Sequence, residues 1–91
     1  MAISMDEAVA AAKKDLAARL GTDSSEIHHK VETAEFPDMA LGAHEDDEMS
    51  GQMITPGWRI RLSCRGRDYE YRANKNQVRL FNFKGNNFRV A

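Results

Sequence analysis

The sequence predicts an α+β fold in which one N-terminal helix packs on a four-stranded, mainly antiparallel sheet. An alanine-rich segment over residues 4–20 carries apolar residues at helical spacing. From Thr55 to Phe83, apolar and polar residues alternate in short runs separated by turn residues, which is typical of half-buried strands. Ninety-one residues suffice for one modest core, so we expect residues 1–91 to form a single small domain.

The predicted helix spans residues 4–20. Ser4 is a suitable N-cap, and Glu7 stands three residues later, as a capping box requires. Gly21 is placed to end the helix in a left-handed conformation. A narrow apolar stripe at helical spacing predicts close packing against a sheet, and its members are Val9, Ala12, Leu16 and Leu20.

Four strands are predicted, at about 27–36, 58–65, 69–73 and 77–83. Pro37 closes the first strand, while Gly66-Arg67 and Asn74–Asn76 provide hairpin turns. We expect residues 84–87 to form a loop, and residues 88–90 either to extend an edge or to fray. The side chains expected in the core are Val9, Leu16, Leu20, Ile27, Val31, Trp58, Ile60, Leu62, Tyr69, Tyr71, Val78 and Leu80.

A long acidic loop is predicted at 37–54, between the first two strands. It holds a run of four acidic residues, 45–48, and three methionines. So long a connection in a small domain is usually functional or mobile. It is therefore our candidate partner-binding loop, with Met39, Leu41, His44, Asp46, Asp47 and Met49 as the candidate contact residues.

Charge is distributed unevenly along the chain. Residues 1–57 hold four basic and twelve acidic residues, a net −8, and residues 58–91 hold nine basic and two acidic residues, a net +7. Within one domain this asymmetry indicates that the two halves face each other, but it can also mark a charged binding face. The candidate basic face of the sheet consists of Arg59, Arg61, Arg72 and Arg79.

No pattern for catalysis or metal binding emerges from the sequence. His28 and His29 would point to opposite faces of a strand, and neither His44 nor Cys64 belongs to a zinc-ligand spacing. Cys64 is expected to be a small buried apolar residue. Because the serines lie in no nucleophile elbow and no glycine-rich phosphate loop is present, we expect no enzyme activity, no metal and no cofactor.

The amino-terminal residues lack both the basic and the apolar region of a signal peptide. No apolar run is long enough to cross a bilayer. We therefore predict a cytoplasmic protein without a membrane partner.

A set of short motifs extends over residues 13–74: KKDLAARLG (13–21), FPDMALG (36–42), TPGWRIRL (55–62) and RDYEYRAN (67–74). The set resembles a group of small uncharacterised bacterial proteins, and more loosely the PepSY-like and cystatin-like modules. The resemblance implies a helix followed by an antiparallel meander, and the modules are associated with peptidase regulation. This chain departs from the group at Phe36, at Ala43–Glu45 and at Arg72, where that group has tryptophan, Cys-Pro and histidine.

Two functions remain open from the sequence. The leading hypothesis is a non-enzymatic binding or regulatory module that contacts an unknown protein or peptide through the 37–54 loop and a sheet edge. The alternative is nucleic-acid binding through the arginine-rich sheet face, with aromatic residues interleaved. The acidic half of the chain would repel phosphate, which disfavours the nucleic-acid alternative.

Overall fold

A computed structural model describes residues 2–91. The elements follow the order α1 (Met5–Leu20), a short 3-10 turn (Ser24–Glu26), β1 (His28–Phe36), β2 (Thr55–Cys64), β3 (Arg67–Asn74), β4 (Gln77–Phe83) and β5 (Asn86–Arg89). All neighbouring strands are antiparallel, in the spatial order β1-β2-β3-β4-β5. The α+β class with one helix on an antiparallel sheet is confirmed.

The sheet has five strands rather than the four expected. β5 pairs with β4 at Arg79↔Arg89 and Leu80↔Phe88. The turn that joins β4 to β5 is Lys84–Gly85, whose φ angles of 52° and 86° suit a tight two-residue hairpin. A lysine at the first turn position is not a typical hairpin signal, which is why the sequence predicts a loop there.

The helix begins and ends as predicted. Ser4 Oγ accepts a hydrogen bond from the Glu7 amide, and the Glu7 carboxylate accepts one from the Ser4 amide, which completes the capping box. Gly21 adopts φ 67° at the C-terminal cap. One face of α1 is buried against the sheet, and its buried residues are Ala8, Val9, Ala12 and Leu16.

The main core lies between α1 and the central strands. Of the predicted core, eight residues are buried: Val9, Leu16, Ile27, Ile60, Leu62, Tyr71, Val78 and Leu80. Four others are only partly buried: Leu20, Val31, Trp58 and Tyr69. Because α1 lies mainly over β2, β3 and β4, Val31 on β1 has little helix above it. Cys64 is buried in this core, as expected.

One polar contact joins the helix to the core face of the sheet. The Tyr71 hydroxyl donates to Asp15 Oδ2 over 2.7 Å, and Arg19 Nε donates to the same oxygen over 2.7 Å. Burial, together with the adjacent Asp15 carboxylate, raises the pKa of Tyr71 well above its usual value. Tyr71 therefore stays a hydrogen-bond donor and fixes the position of α1 on β3.

Candidate functional site

Residues 37–54, here called the strap, fold onto the sheet face opposite α1. The strap contains no helix or strand. Its first arm, residues 37–43, is nevertheless well packed, with Ala40, Leu41 and Ala43 fully buried. The sequence predicts that Leu41 contacts a partner. This prediction is wrong, because the Leu41 side chain is 0% exposed. The domain therefore has three layers: helix, sheet and strap.

Asp38 shapes the first arm of the strap. Its Oδ1 accepts hydrogen bonds from the amides of Ala40 (2.9 Å) and Gly42 (3.0 Å), and the side chain is largely buried. Leu41 and Gly42 then adopt φ angles of 59° and 66°. The aspartate and the Leu-Gly pair of the FPDMALG stretch thus have a clear structural use, which is to turn the strap over the sheet.

The strand register aligns charged side chains in one row across this face. Opposite residues on neighbouring antiparallel strands point to the same side of the sheet. The row is Glu32, Arg59, Arg72, Arg79 and Arg89, one residue from each strand.

Arg72 lies at the centre of the row and bonds the strap backbone. Its Nη1 donates to the carbonyl oxygens of Leu41 (3.0 Å) and Gly42 (3.2 Å), and its Nε donates to Glu70 Oε2 (2.7 Å). The guanidinium stacks 3.7 Å from the centre of the Phe81 ring. A Cβ on Gly42 would lie 2.7 Å from Arg72 Nη1, so glycine allows this close approach.

Arg79 bonds the middle of the strap. Its side chain is 2% exposed, and it donates to Gln77 Oε1 (2.7 Å) and to the Ala43 carbonyl (3.2 Å). It also binds both oxygens of Glu48, at 2.5 and 2.6 Å. These hydrogen bonds from Arg79 lower the pKa of the Glu48 carboxyl to about 2. A bidentate, charge-assisted pair of this kind fixes both distance and orientation.

The four arginines of the candidate basic face therefore do not form one exposed surface. Arg72 and Arg79 lie under the strap, which corrects that expectation for these two residues. Arg59 and Arg61 are more exposed, and both lie within 3.6 Å of a Glu32 oxygen. The prediction that the acidic and basic halves face each other is confirmed by these pairs and by Arg79–Glu48.

The turn of the strap contacts the β5 edge of the sheet. The His44 carbonyl accepts from Asn87 Nδ2 (2.7 Å), and the Glu45 carboxylate accepts from the Arg89 amide (3.3 Å). Asp46 and Asp47 are exposed at the tip. Of the candidate loop residues, His44 and the two aspartates thus lie together at this end.

The returning arm of the strap, residues 49–54, presents apolar side chains to solvent. Met49 is 96% exposed, Met53 63% and Ile54 68%, and Met39 on the first arm is 52% exposed. Together they border a surface groove, here called the methionine groove, whose other lining residues include Thr55, Pro56, Asn74 and Asn76. A second groove shares these four residues and continues to Trp58.

Two members of this apolar set were expected from the sequence, and two were missed. Met39 and Met49 were candidate contact residues, and both are exposed. Met53 and Ile54 were overlooked, although two large apolar residues directly before Thr55-Pro56 are a usable signal. Because β2 begins at Thr55 rather than at Trp58, Met53 and Ile54 lie directly before the strand and line the methionine groove.

Neither a helix that could span a membrane nor a metal-ligand cluster is found in residues 2–91. No helix in this range is both long and apolar enough to cross a bilayer. No group of three or more His, Cys, Asp or Glu side chains in the same range is arranged to hold a metal ion.

Comparison with known proteins gives a family but no function. No curated protein and no solved structure matches the chain. A family model described as "Domain of unknown function (DUF8738)" matches residues 9–81. This match extends from α1 to β4 and includes the whole strap, so the chain belongs to the DUF8738 family.

Proposed function

We propose that the domain is a non-enzymatic binding module that holds an apolar peptide, or an apolar segment of a partner protein, in the methionine groove. One observation carries the proposal. Four of the five large exposed apolar residues in the described chain lie on the strap beside one groove: Met39, Met49, Met53 and Ile54. A contiguous apolar patch of this kind is typical of an interaction site.

The strap backbone next to Met39 is anchored at several points. The Met39 amide donates to the Gly51 carbonyl over 2.9 Å, which joins the two arms of the strap. Arg72 and Arg79 hold the same segment to the sheet. A backbone that is already fixed loses little entropy when a partner binds, and flexible methionine side chains can adapt to the partner's surface.

The groove also offers polar groups beside its apolar border. Gln77 Nε2 donates to the Met39 carbonyl (2.6 Å), while Asn76 is exposed at the hairpin turn. An exposed amide can hydrogen-bond the backbone of an extended peptide. The partner class that fits is thus a short extended segment with one or two large apolar side chains.

Nucleic-acid binding through the sheet arginines is the less favoured proposal. Arg72 and Arg79 would have to exchange their hydrogen bonds to the strap for phosphate contacts. Of the four arginines of the candidate basic face, Arg59 and Arg61 are available without that exchange, and each already lies near a glutamate.

Selection of random peptides displayed on phage against the full chain would test the peptide-binding proposal. We expect enrichment of sequences with large apolar residues, and binding at least tenfold weaker to a Met49→Ser/Met53→Ser/Ile54→Ser variant. The matched control is Met5→Ser, which removes an exposed methionine of α1 far along the chain from the strap. Absence of enrichment, or equal binding by the triple variant, would contradict the proposal.

A further inference from the structure

The outer edge of β1 is a second surface with recognisable chemistry. β1 lies at the end of the strand order, so among residues 2–91 it pairs with β2 alone. Its register with β2 runs unbroken from His28↔Ser63 to Phe36↔Thr55, without a bulge or a proline in β1. Every second residue of β1 therefore directs its amide and carbonyl away from the sheet, as a template for another strand.

Neither face of β1 is strongly covered beside this edge. α1 lies mainly over β2, β3 and β4, and the strap begins only after Phe36. Most β1 side chains are exposed or partly exposed, and only Phe36 is buried. A strand added at the edge would meet no obstructing element of the domain.

The side chains of β1 are complementary to themselves in one antiparallel register. A two-fold axis at Val31 places Val31 opposite Val31 of a second copy. Lys30 of each copy then lies opposite Glu32 of the other, on the face away from α1, so two cross-strand ion pairs form. His29 would lie opposite Thr33 on the α1 face, without a like-charge contact.

The two neighbouring symmetric registers lack this match. An axis at Lys30 places the two lysines opposite each other, and an axis at Glu32 does the same with the two glutamates. Opposed like charges destabilise a strand pair. The charges on β1 thus disfavour these shifted registers and favour one specific pairing.

We propose that two copies of the chain associate through antiparallel β1–β1 pairing centred on Val31. The product is one continuous sheet of ten strands with both helices on the same face, because the axis is perpendicular to the sheet. The methionine groove lies on the strap and stays free in this dimer, so the inference is independent of the peptide-binding proposal.

The existing contacts of Glu32 allow the new pair. Its oxygen lies 3.5 Å from Arg59 Nη1 and 3.6 Å from Arg61 Nη2, and the side chain is 52% exposed. These are long, solvated contacts, so the carboxylate can also receive Lys30 of the second copy. On this face, the charged side chains of the two strands nearest the junction are Lys30, Glu32, Arg59 and Arg61, and two copies would bring both sets together.

Charge reversal gives a direct test by sedimentation velocity of the full chain between about 1 µM and about 1 mM. We expect the natural chain to dimerise, and Lys30→Glu and Glu32→Lys each to weaken the dimer about tenfold or more, because each opposes like charges twice. An equimolar mixture of the two variants restores the opposite charges and should form a heterodimer of natural affinity. Circular dichroism and thermal melting establish that each variant is folded.

Three results would overturn the proposal. The natural chain could remain monomeric throughout this range. It could form a dimer that neither charge reversal weakens, which would place the interface elsewhere. The mixture could stay monomeric although each variant is folded and the natural chain dimerises, which would exclude the Val31 register.

Discussion

The two faces of the sheet are covered in different ways. On the α1 face, apolar side chains such as Leu16, Ile60 and Leu80 pack together. On the strap face, two arginines hold an irregular segment by hydrogen bonds to its carbonyls and to Glu48. Apolar packing tolerates small displacements, whereas guanidinium hydrogen bonds require each acceptor in place.

The difference follows from the secondary structure of the two covers. A helix satisfies its own backbone groups and can present a purely apolar stripe. A strap without helix or strand brings unpaired carbonyls to the sheet, and these require donors. Arginine supplies five N–H donors on a long apolar stem, so Arg72 and Arg79 are suited to line the sheet under such a segment.

The largest effect is expected on the helix face. Leu16→Ala removes a fully buried side chain between helix and sheet, and we expect a loss of about 3 kcal/mol in the free energy of unfolding. Urea denaturation followed by circular dichroism measures it. Ala18→Ser, at an exposed position of the same helix, is the control and should change stability by less than about 0.5 kcal/mol.

On the strap face, Arg79→Met should lower the free energy of unfolding by about 2 kcal/mol, because Gln77, Ala43 and Glu48 lose their donor. The expected signature is local: the amides of Met39, Gly42 and Ala43 should exchange with solvent much faster, while those of β2 and β3 keep most of their protection. Hydrogen exchange followed by NMR resolves the two regions. Arg61→Met, at a largely exposed arginine, is the matched control.

If amide exchange in Arg79→Met became faster across the whole sheet, this would contradict the distinction between the strap face and the helix face. The strap would then be an integral part of the core, and the two faces would unfold as one cooperative unit.

A pair of glycine substitutions isolates the contact between the strap and Arg72. Gly42→Ala and Gly85→Ala both place alanine at positive φ, but only at Gly42 would the new Cβ meet a side-chain atom, Arg72 Nη1, at 2.7 Å. Each should lose about 1 kcal/mol from backbone strain. Thermal melting should show the larger loss for Gly42→Ala, and equal losses would mean that Arg72 moves aside freely.

The stability of the fold should also depend on pH through Glu48. Its folded-state pKa of about 2 lies below the ordinary value of 4.5, so its ionised form stabilises the fold above pH 4.5. That contribution falls as pH is lowered from about 4.5 toward 2, and partial exposure of the side chain (27%) moderates it. Glu48→Gln should reduce this dependence, and urea midpoints across the range measure the difference.

Much of the helix face could be predicted from the sequence because its signals are local. Ser4, Glu7 and Gly21 mark the ends of α1, and alternation along β2 identifies Ile60 and Leu62 as buried. These patterns depend on neighbours within a few residues, so one sequence contains them in full.

The strap face could not be predicted in the same way. Alternation places Arg72 and Arg79 on the face opposite Tyr71 and Leu80, but it does not show what covers that face. A buried arginine requires carbonyls from a distant part of the chain, here Leu41 and Ala43. The only available signal was indirect: an acidic loop and a basic sheet in one small domain.

The position of the strap between β1 and β2 has a consequence for folding. β2, β3, β4 and β5 are joined by two-residue turns, so they can form a sheet from local contacts. β1 must wait until the strap closes a much longer loop, which has a larger entropy cost. We expect β1 to join last, and until Arg79 and Glu48 close the strap, β2 is the transient open edge of the growing sheet.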